Sequence, residues 1–201
     1  MRPIASPTKD ELAALLPLSR LGLNDIVVVT TQAQAKQAFL ALDSCTVLGF
    51  DTESKPTFIR DEISQGPHVV QFATPHTAYV FQLHDAGCCE VVSLLLVSER
   101  ITKVGFGLAG DHVQIMRTLG VRPKNVLDLN TVFRDRGYAK EIGVKGAVAV
   151  VFNRRFLKSR KATTSNWSNR QLIESQIIYS ANDAWAAIQV FDALGLRAGA
   201  V

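Results

Sequence analysis

The sequence holds three cysteines, Cys45, Cys88 and Cys89. An odd number with one vicinal pair makes a poor disulfide framework, and none of the three has the spacing of a metal ligand set. That counts against a thiol-stapled secreted fold and a cysteine-based zinc site, and makes a reducing compartment, the cytoplasm, the simplest inference. Also missing is any apolar run of the roughly 18 to 20 residues needed to span a bilayer. The leucine-rich start is broken by Asp10, Glu11, Pro17 and Arg20, so it reads neither as a membrane segment nor as a signal peptide. No internal repeat, low-complexity tract or obvious linker interrupts the chain. The four histidines, His112 beside Asp111 among them, lack ligand spacing and are assigned to structural or solvent-facing positions. Nor does charge of one sign dominate. Lys and Arg number 22 against 18 Asp and Glu, a net +4, which agrees with a polyanionic partner without specifying one.

What is present is the material of one α/β domain. At 201 residues, 47% hydrophobic and 20% charged, the chain is long enough for one sizeable core and short for two. Residues 1–25 mix Pro, Ser and charge with a short leucine-rich segment and are expected to form an arm or short helix packed on a main domain, 26–201. A β-branched run at 26–30 precedes Thr31, an N-cap candidate for a helix reaching 43. Residues 47–53, VLGFDTE, form the next strand, and the polar stretch 54–67, with Pro and Gly, a loop. The runs 68–74 and 77–83 read as a hairpin through Pro75 and His76, and with 47–53 they predict a three-stranded antiparallel meander. Helix and strand then alternate: helix 88–97, strand 102–106, helix 111–119, strand 126–129, helices from 130–136 and 143–152. A basic segment at 153–168 precedes a long helix expected over 169–194, with Ser168 as N-cap and Gly195 as stop. The architecture this predicts is a mixed sheet, an antiparallel meander plus parallel strands, flanked by helices.

The strand 47–53 ends by presenting two carboxylates separated by one residue. Side chains alternate along a strand, so Asp51 and Glu53 share a face where the apolar run stops. Two like charges held together call for a cation or a shared proton, which suits a hard-metal ligand set; a polar strand end entering a loop also accounts for a lone D-x-E. A third carboxylate, Asp111, stands where KVGFGLAGD turns from strand to helix, a place that the macrodipole alone favours for an acid. A fourth lies in YSAND, where a spacing of four puts Tyr179 and Asp183 one turn apart on one face. The neighbours Ile177, Ala184, Ala187 and Ile188 turn this helix toward the core, so Asp183 is expected to be partly buried and in need of a partner.

In that order, Asp-x-Glu, Asp at a strand-to-helix junction and Tyr-x-x-x-Asp on a late helix, the chain resembles the DEDD superfamily of 3'-5' exonucleases in its tyrosine branch. FDTE matches the first motif, KVGFGLAGD the second and YSANDA the third, and Ile178 stands where the histidine branch carries His. The resemblance covers about 26–194, and KSRKATTSNWS is most similar to the Werner-type exonuclease and ribonuclease D group, with no obvious helical accessory domain following. It implies a ribonuclease H-like fold and two Mg2+ or Mn2+ ions, one held by Asp51, Glu53 and Asp183 and the second reached by Asp51 and helped by Asp111. It also implies that Tyr179 orients the attacking water. Nucleoside 5'-monophosphates would leave single-stranded or frayed 3' ends of DNA or RNA. Two alternatives keep the fold, a nucleic-acid-binding domain without turnover and an exonuclease confined to short oligoribonucleotides or a structured RNA end. For substrate contact the candidates are Thr52, Arg154, Arg155, Lys158 and Trp167, with Arg160, Lys161 and Asn166 in the same segment. The cations would meet phosphates and the indole would stack on an unpaired base. A solvated basic loop with Trp167 packed on the body is the competing account. Phe50 and Trp185 are assigned to the core.

Overall fold

A computed structural model describes residues 3–57 and 62–199 of the chain. Positions 58–61 of the expected 54–67 loop lie outside the described residues, as does the side chain of Arg160. Six strands, β1 (Ile26–Val29), β2 (Val47–Glu53), β3 (Val69–Ala73), β4 (Ala78–Gln82), β5 (Thr102–Gly105) and β6 (Val126–Asp128), form one sheet in the order β1-β4-β3-β2-β5-β6. β2, β3 and β4 pair antiparallel, with Asp51 opposite Gln71 and Glu53 opposite Val69, while β1–β4, β2–β5 and β5–β6 are parallel. This is the mixed sheet that the sequence pattern predicts.

Helices cover both faces because β2 to β5 are apolar on both. On one face lie α2 (Gln32–Leu42), α3 (Ala86–Val97) and α4 (Ala109–Leu119), packing Leu42, Leu95 and Ile115 against Leu48, Phe50, Phe72 and Phe81. On the other lie α5 (Leu129–Asp135), α6 (Gly143–Phe152) and α8 (Glu174–Ala193), which meet Val47, Val69 and Val104 through Phe133, Val148 and Ile188, with the one-turn α7 (Arg160–Thr163) against α8. Local chemistry sets the helix starts. Thr31 accepts from the Gln34 amide at the head of α2, and Asp85 accepts from Gly87 and Cys88, which begins α3 two residues before the cysteine pair. All three cysteines are free thiols, and burial pushes that of Cys88 up to about 12. Among the described residues no helix is long and apolar enough to cross a membrane.

The last long helix departs from expectation. Ser168 is not its N-cap, and α8 begins at Glu174. The Asn166 side chain accepts from both the amide and the hydroxyl of Ser168, at 3.1 and 2.6 Å, and Trp167 between them is fully buried. Burying that indole costs the segment its helical path. The start is set instead by Gln176, whose Oε1 accepts from the Ile173 amide at 3.1 Å.

Ahead of β1, the short helix α1 (Lys9–Ala14) is closed by a Thr8–Glu11 capping box. The chain beyond it runs beside the segment that follows α6. Leu18 N–H donates to the Arg155 carbonyl at 2.9 Å and Arg155 N–H to that of Leu16 at 2.8 Å. Further on, the Asn182 side chain of α8 both accepts from Leu21 N–H (2.9 Å) and donates to Leu21 C=O (3.2 Å).

Candidate active site

Gly49, Asp51 and Glu53 share the face of β2 that meets α8. A Cβ built on Gly49 would lie 2.0 Å from the Ala184 carbonyl oxygen, so strand and helix backbones touch here with no side chain between. Glycine inside a strand permits such an approach. The contact falls two residues before Asp51 and one after Asp183, and it brings the carboxylates together. Asp51, Glu53 and Asp183 each offer an oxygen within 4.8 Å of the other two.

Burial dominates the electrostatics of the cluster. It lifts the Asp51 carboxyl well above the usual range, with Asp183 and then Asp111 adding to the rise. Glu53 is pushed up to about 10 by burial and then by Asp51. Burial likewise raises Asp183, against the opposing pull of Lys158. Three acids that resist ionisation together are a site built for added positive charge. Asp183 Oδ1 is buried without a hydrogen-bond partner, as are both polar atoms of the Gln71 amide opposite Asp51. Oxygen-only donors, clustered charge and orphaned polar atoms fit a hard divalent cation.

Asp111 stands outside the three-carboxylate cluster, in the first turn of α4. The Thr52 hydroxyl donates to its Oδ1, and Ser54 makes a parallel tie to Gln114, so the end of β2 is stitched to α4. Asp128 fixes the head of that helix by accepting from Leu108 N–H at 3.0 Å while capping α5 through Asn130 N–H at 2.9 Å. Burial raises Asp111 and the Thr52 bond opposes the rise. Thr52, expected to touch substrate, thus spends its hydroxyl on Asp111.

Tyr179 lies one turn before Asp183. Its phenol accepts from Thr163 Oγ1 at 3.2 Å, and burial, then Asp183 and Glu53, push it above its ordinary value. The phenol therefore keeps its proton at neutral pH. Trp167 packs on the Tyr179 ring at 5.9 Å between centroids, fully buried, and presents no face to a base. The stacking role is corrected accordingly, since the indole wedges the tyrosine in place. Phe50 is fully buried, and Trp185 is half-buried with its indole N–H on the Pro75 carbonyl at 3.0 Å.

The basic segment divides. Arg154 is exposed, its guanidinium turned back to the Asn153 carbonyl at 2.9 Å. Arg155 reaches the Ala13 carbonyl at 3.0 Å. Lys158 enters the acidic cluster, its Nζ 2.7 Å from Asp183 Oδ2 and 5.0 Å from the Tyr179 ring centroid. Burial disfavours its charge, but Asp183 and then Asp51 more than compensate and hold the ammonium above its usual range. Sequence separation hides this pair, as it hides Thr163 on Tyr179. Gly49 did carry a signal, a glycine within an apolar strand. With Lys158→Met the stem is kept and the competing cation is lost. Mn2+ binding by calorimetry is expected to tighten at least about tenfold, a fraction of the ~4 kcal/mol between unit charges 4 Å apart near a protein surface. Unchanged affinity would show that Lys158 does not compete.

Comparison with known proteins bears on the same region. The sequence pattern of the 3'-5' exonuclease family matches residues 26–198. The chain is 27% identical over 158 residues, 78% of its length, to the bifunctional 3'-5' exonuclease/ATP-dependent helicase WRN of Mus musculus, of which that stretch is 11%. It is 26% identical over 149 residues, 73% of its length, to a 3'-5' exonuclease of Arabidopsis thaliana, and spans 52% of that protein. The chain thus covers about half or less of these relatives. Among solved structures, the EXO domain of Aedes aegypti Nibbler superposes with a TM-score of 0.75 at 17% identity, over 90% of this chain and 92% of that one. Trypanosoma brucei RNase D in complex with RNA U12 superposes at 0.75 with 20% identity, over 92% and 64%. The fold is that of the ribonuclease H-like exonucleases.

Proposed function

The chain belongs to the 3'-5' exonuclease family, and from that premise we propose that it is an active, metal-dependent exonuclease of the tyrosine branch. It would remove nucleoside 5'-monophosphates from unpaired or frayed 3' ends of DNA or RNA in a reducing compartment such as the cytoplasm. Residues 26–201 would form the exonuclease domain and 1–25 its arm. One observation carries the reading: on a chain of this family, Asp51, Glu53 and Asp183 converge within 4.8 Å with a tyrosine one turn away.

Asp51, Glu53 and Asp183 would hold one Mg2+ or Mn2+, and Asp51 with Asp111 a second. Bound there, such ions would supply Lewis acidity, lowering the pKa of a water and offsetting the charge that builds on the oxygens of an in-line displacement. The protein groups orient the reactants. The Tyr179 phenol, held protonated and fixed by Thr163 and Trp167, points a hydrogen-bond donor at the attacking oxygen rather than taking its proton. The Lys158 ammonium, 2.7 Å from Asp183 Oδ2, is the cation placed to meet a phosphate oxygen. Trypanosoma brucei RNase D, which has the same fold, is held in complex with RNA U12, which favours RNA among the substrates.

A time course on 3'-labelled and 5'-labelled single-stranded DNA and RNA, with and without Mn2+, tests the reading. Mononucleotides released from the 3' end, in Mn2+ and not in EDTA, are the expected outcome. Binding without shortening under every metal condition would overturn it. Tyr179→Phe separates orientation from binding: single-turnover cleavage should fall about 100-fold while oligonucleotide affinity stays put. An unchanged rate removes the role given to the phenol.

A further inference from the structure

Beside the acidic cluster, on the far side of Lys158, the arm and the body of the protein enclose a groove of about 480 Å³. Its walls come from α1 through Lys9 and Leu12, from α6 through Lys145, and from the following segment through Arg155, Phe156 and Lys158. Those lining residues include four cations and no carboxylate. Neither acid of α1, Asp10 or Glu11, lines the groove, and Glu11 is turned back into the Thr8 cap, its Oε2 accepting from the Thr8 amide at 2.7 Å. Arg155 Nε is buried without a hydrogen-bond partner. The groove is connected to the site through Lys158, which lines it and touches Asp183.

Much of one wall lies outside residues 26–198, the region matched by the family. The wall is nevertheless fixed in place. Leu16 and Leu18 bond to the Arg155 backbone, the Arg155 guanidinium holds the Ala13 carbonyl, and Asn182, next to Asp183, clamps Leu21 from both sides.

From this we infer that the groove between the arm and α6 is a second phosphate-binding subsite, which takes the sugar–phosphate backbone of an unpaired strand next to the phosphodiester being cut. The inference rests on the exonuclease reading for the direction of the strand, and on the groove itself for the ligand chemistry. Clustered cations without acids recognise a polyanion. A cleft of this volume holds one ligand-sized group, which suits the backbone of a single strand. Lys158, which touches Asp183, supplies the phosphate contact beside the carboxylates, and Lys9 and Lys145 supply others along the groove. The arm thereby extends the substrate track beyond what the family core provides.

The test uses the full chain and a Lys9→Ala/Lys145→Ala variant, both positions being exposed. Binding of a fluorescent single-stranded 12-mer is followed by anisotropy in EDTA at several salt concentrations. Cleavage of a dinucleoside monophosphate, whose only phosphate is the one being cut, is followed in Mn2+. The variant is expected to bind the 12-mer about tenfold more weakly, with a salt slope shallower by about 1.4, as two lost phosphate contacts on a single strand require. Its dinucleoside cleavage should be unchanged. Equal 12-mer affinity and slope in the two proteins overturn the subsite, and so does a parallel fall in dinucleoside cleavage, which would put the lysines in the reacting centre. If the wild type binds the 12-mer as expected but cleaves nothing, the exonuclease reading fails and the groove stands.

Discussion

Asp51→Asn is expected to lower 3'-end hydrolysis by at least about 10³-fold and, in the same protein, to raise the thermal stability of the metal-free state. The two effects share a cause. Oxygens of Asp51, Glu53 and Asp183 are crowded within 4.8 Å, Asp183 buried and the other two half-buried, and desolvation with mutual repulsion makes each resist ionisation, Glu53 as far as about 10. In the unfolded chain these groups ionise near their reference values of about 4. Between the two limits the folded state binds more protons than the unfolded state, so the stability of the metal-free protein falls as pH rises. Any advantage of the folded carboxyls is full below about pH 4 and is lost as pH climbs toward 10. Asn removes one carboxylate, and the loss between pH 5 and 8 should flatten. Added Mn2+ should restore stability to the wild type at pH 8 and do far less for the variant, because ligand binding to the folded state stabilises in proportion to its affinity. Thermal denaturation at pH 5 and pH 8, with and without Mn2+, reads all of this alongside oligonucleotide degradation. A variant that still degrades at the wild-type rate, or a wild type indifferent to Mn2+, would sink the assignment of this carboxylate.

The parts of this site that lie within one element were legible in the sequence. Alternation along β2 placed Asp51 beside Glu53, and helical spacing placed Tyr179 one turn before Asp183, because each relation is set by backbone geometry alone. Relations between elements were not. Nothing local to Lys158 says that its ammonium will enter the acidic cluster rather than wait in solvent for a phosphate. Arg155 read as a free basic residue until the arm was seen to occupy its backbone and its guanidinium. The start of α8 was misplaced by five residues because Ser168 has the chemistry of an N-cap, while burial of its neighbour Trp167 is a tertiary event that overrides it. Gln71 is the reverse case, an ordinary strand residue in the sequence whose isolation beside Asp51 only the assembled sheet reveals.

Gly49→Ala is expected to be the most damaging glycine-to-alanine change among the described residues. The added Cβ would meet the Ala184 carbonyl oxygen at 2.0 Å and its carbon at 2.9 Å. Both are backbone atoms in the middle of a 20-residue helix, which cannot yield as the end of a side chain can. Either β2 bends or α8 lifts off the sheet. Overpacking of this kind costs about 3 kcal/mol, which for a chain of this size is a fall in Tm of roughly 6–12 °C. The consequence for function is separate from the loss of stability. Lifting α8 carries Asp183, one residue from the contact, away from Asp51 and Glu53, so Mn2+ affinity of the folded variant should drop about tenfold or more even at temperatures where it is fully folded. Gly110→Ala provides the comparison, because a Cβ there meets no atom within 4 Å and the residue lies inside α4. That variant should keep its metal affinity and gain a few tenths of a kcal/mol, up to about 1, in helix propensity. If Gly49→Ala instead matched the wild type in both melting and Mn2+ binding, the close approach of β2 and α8 would not be what assembles the carboxylates.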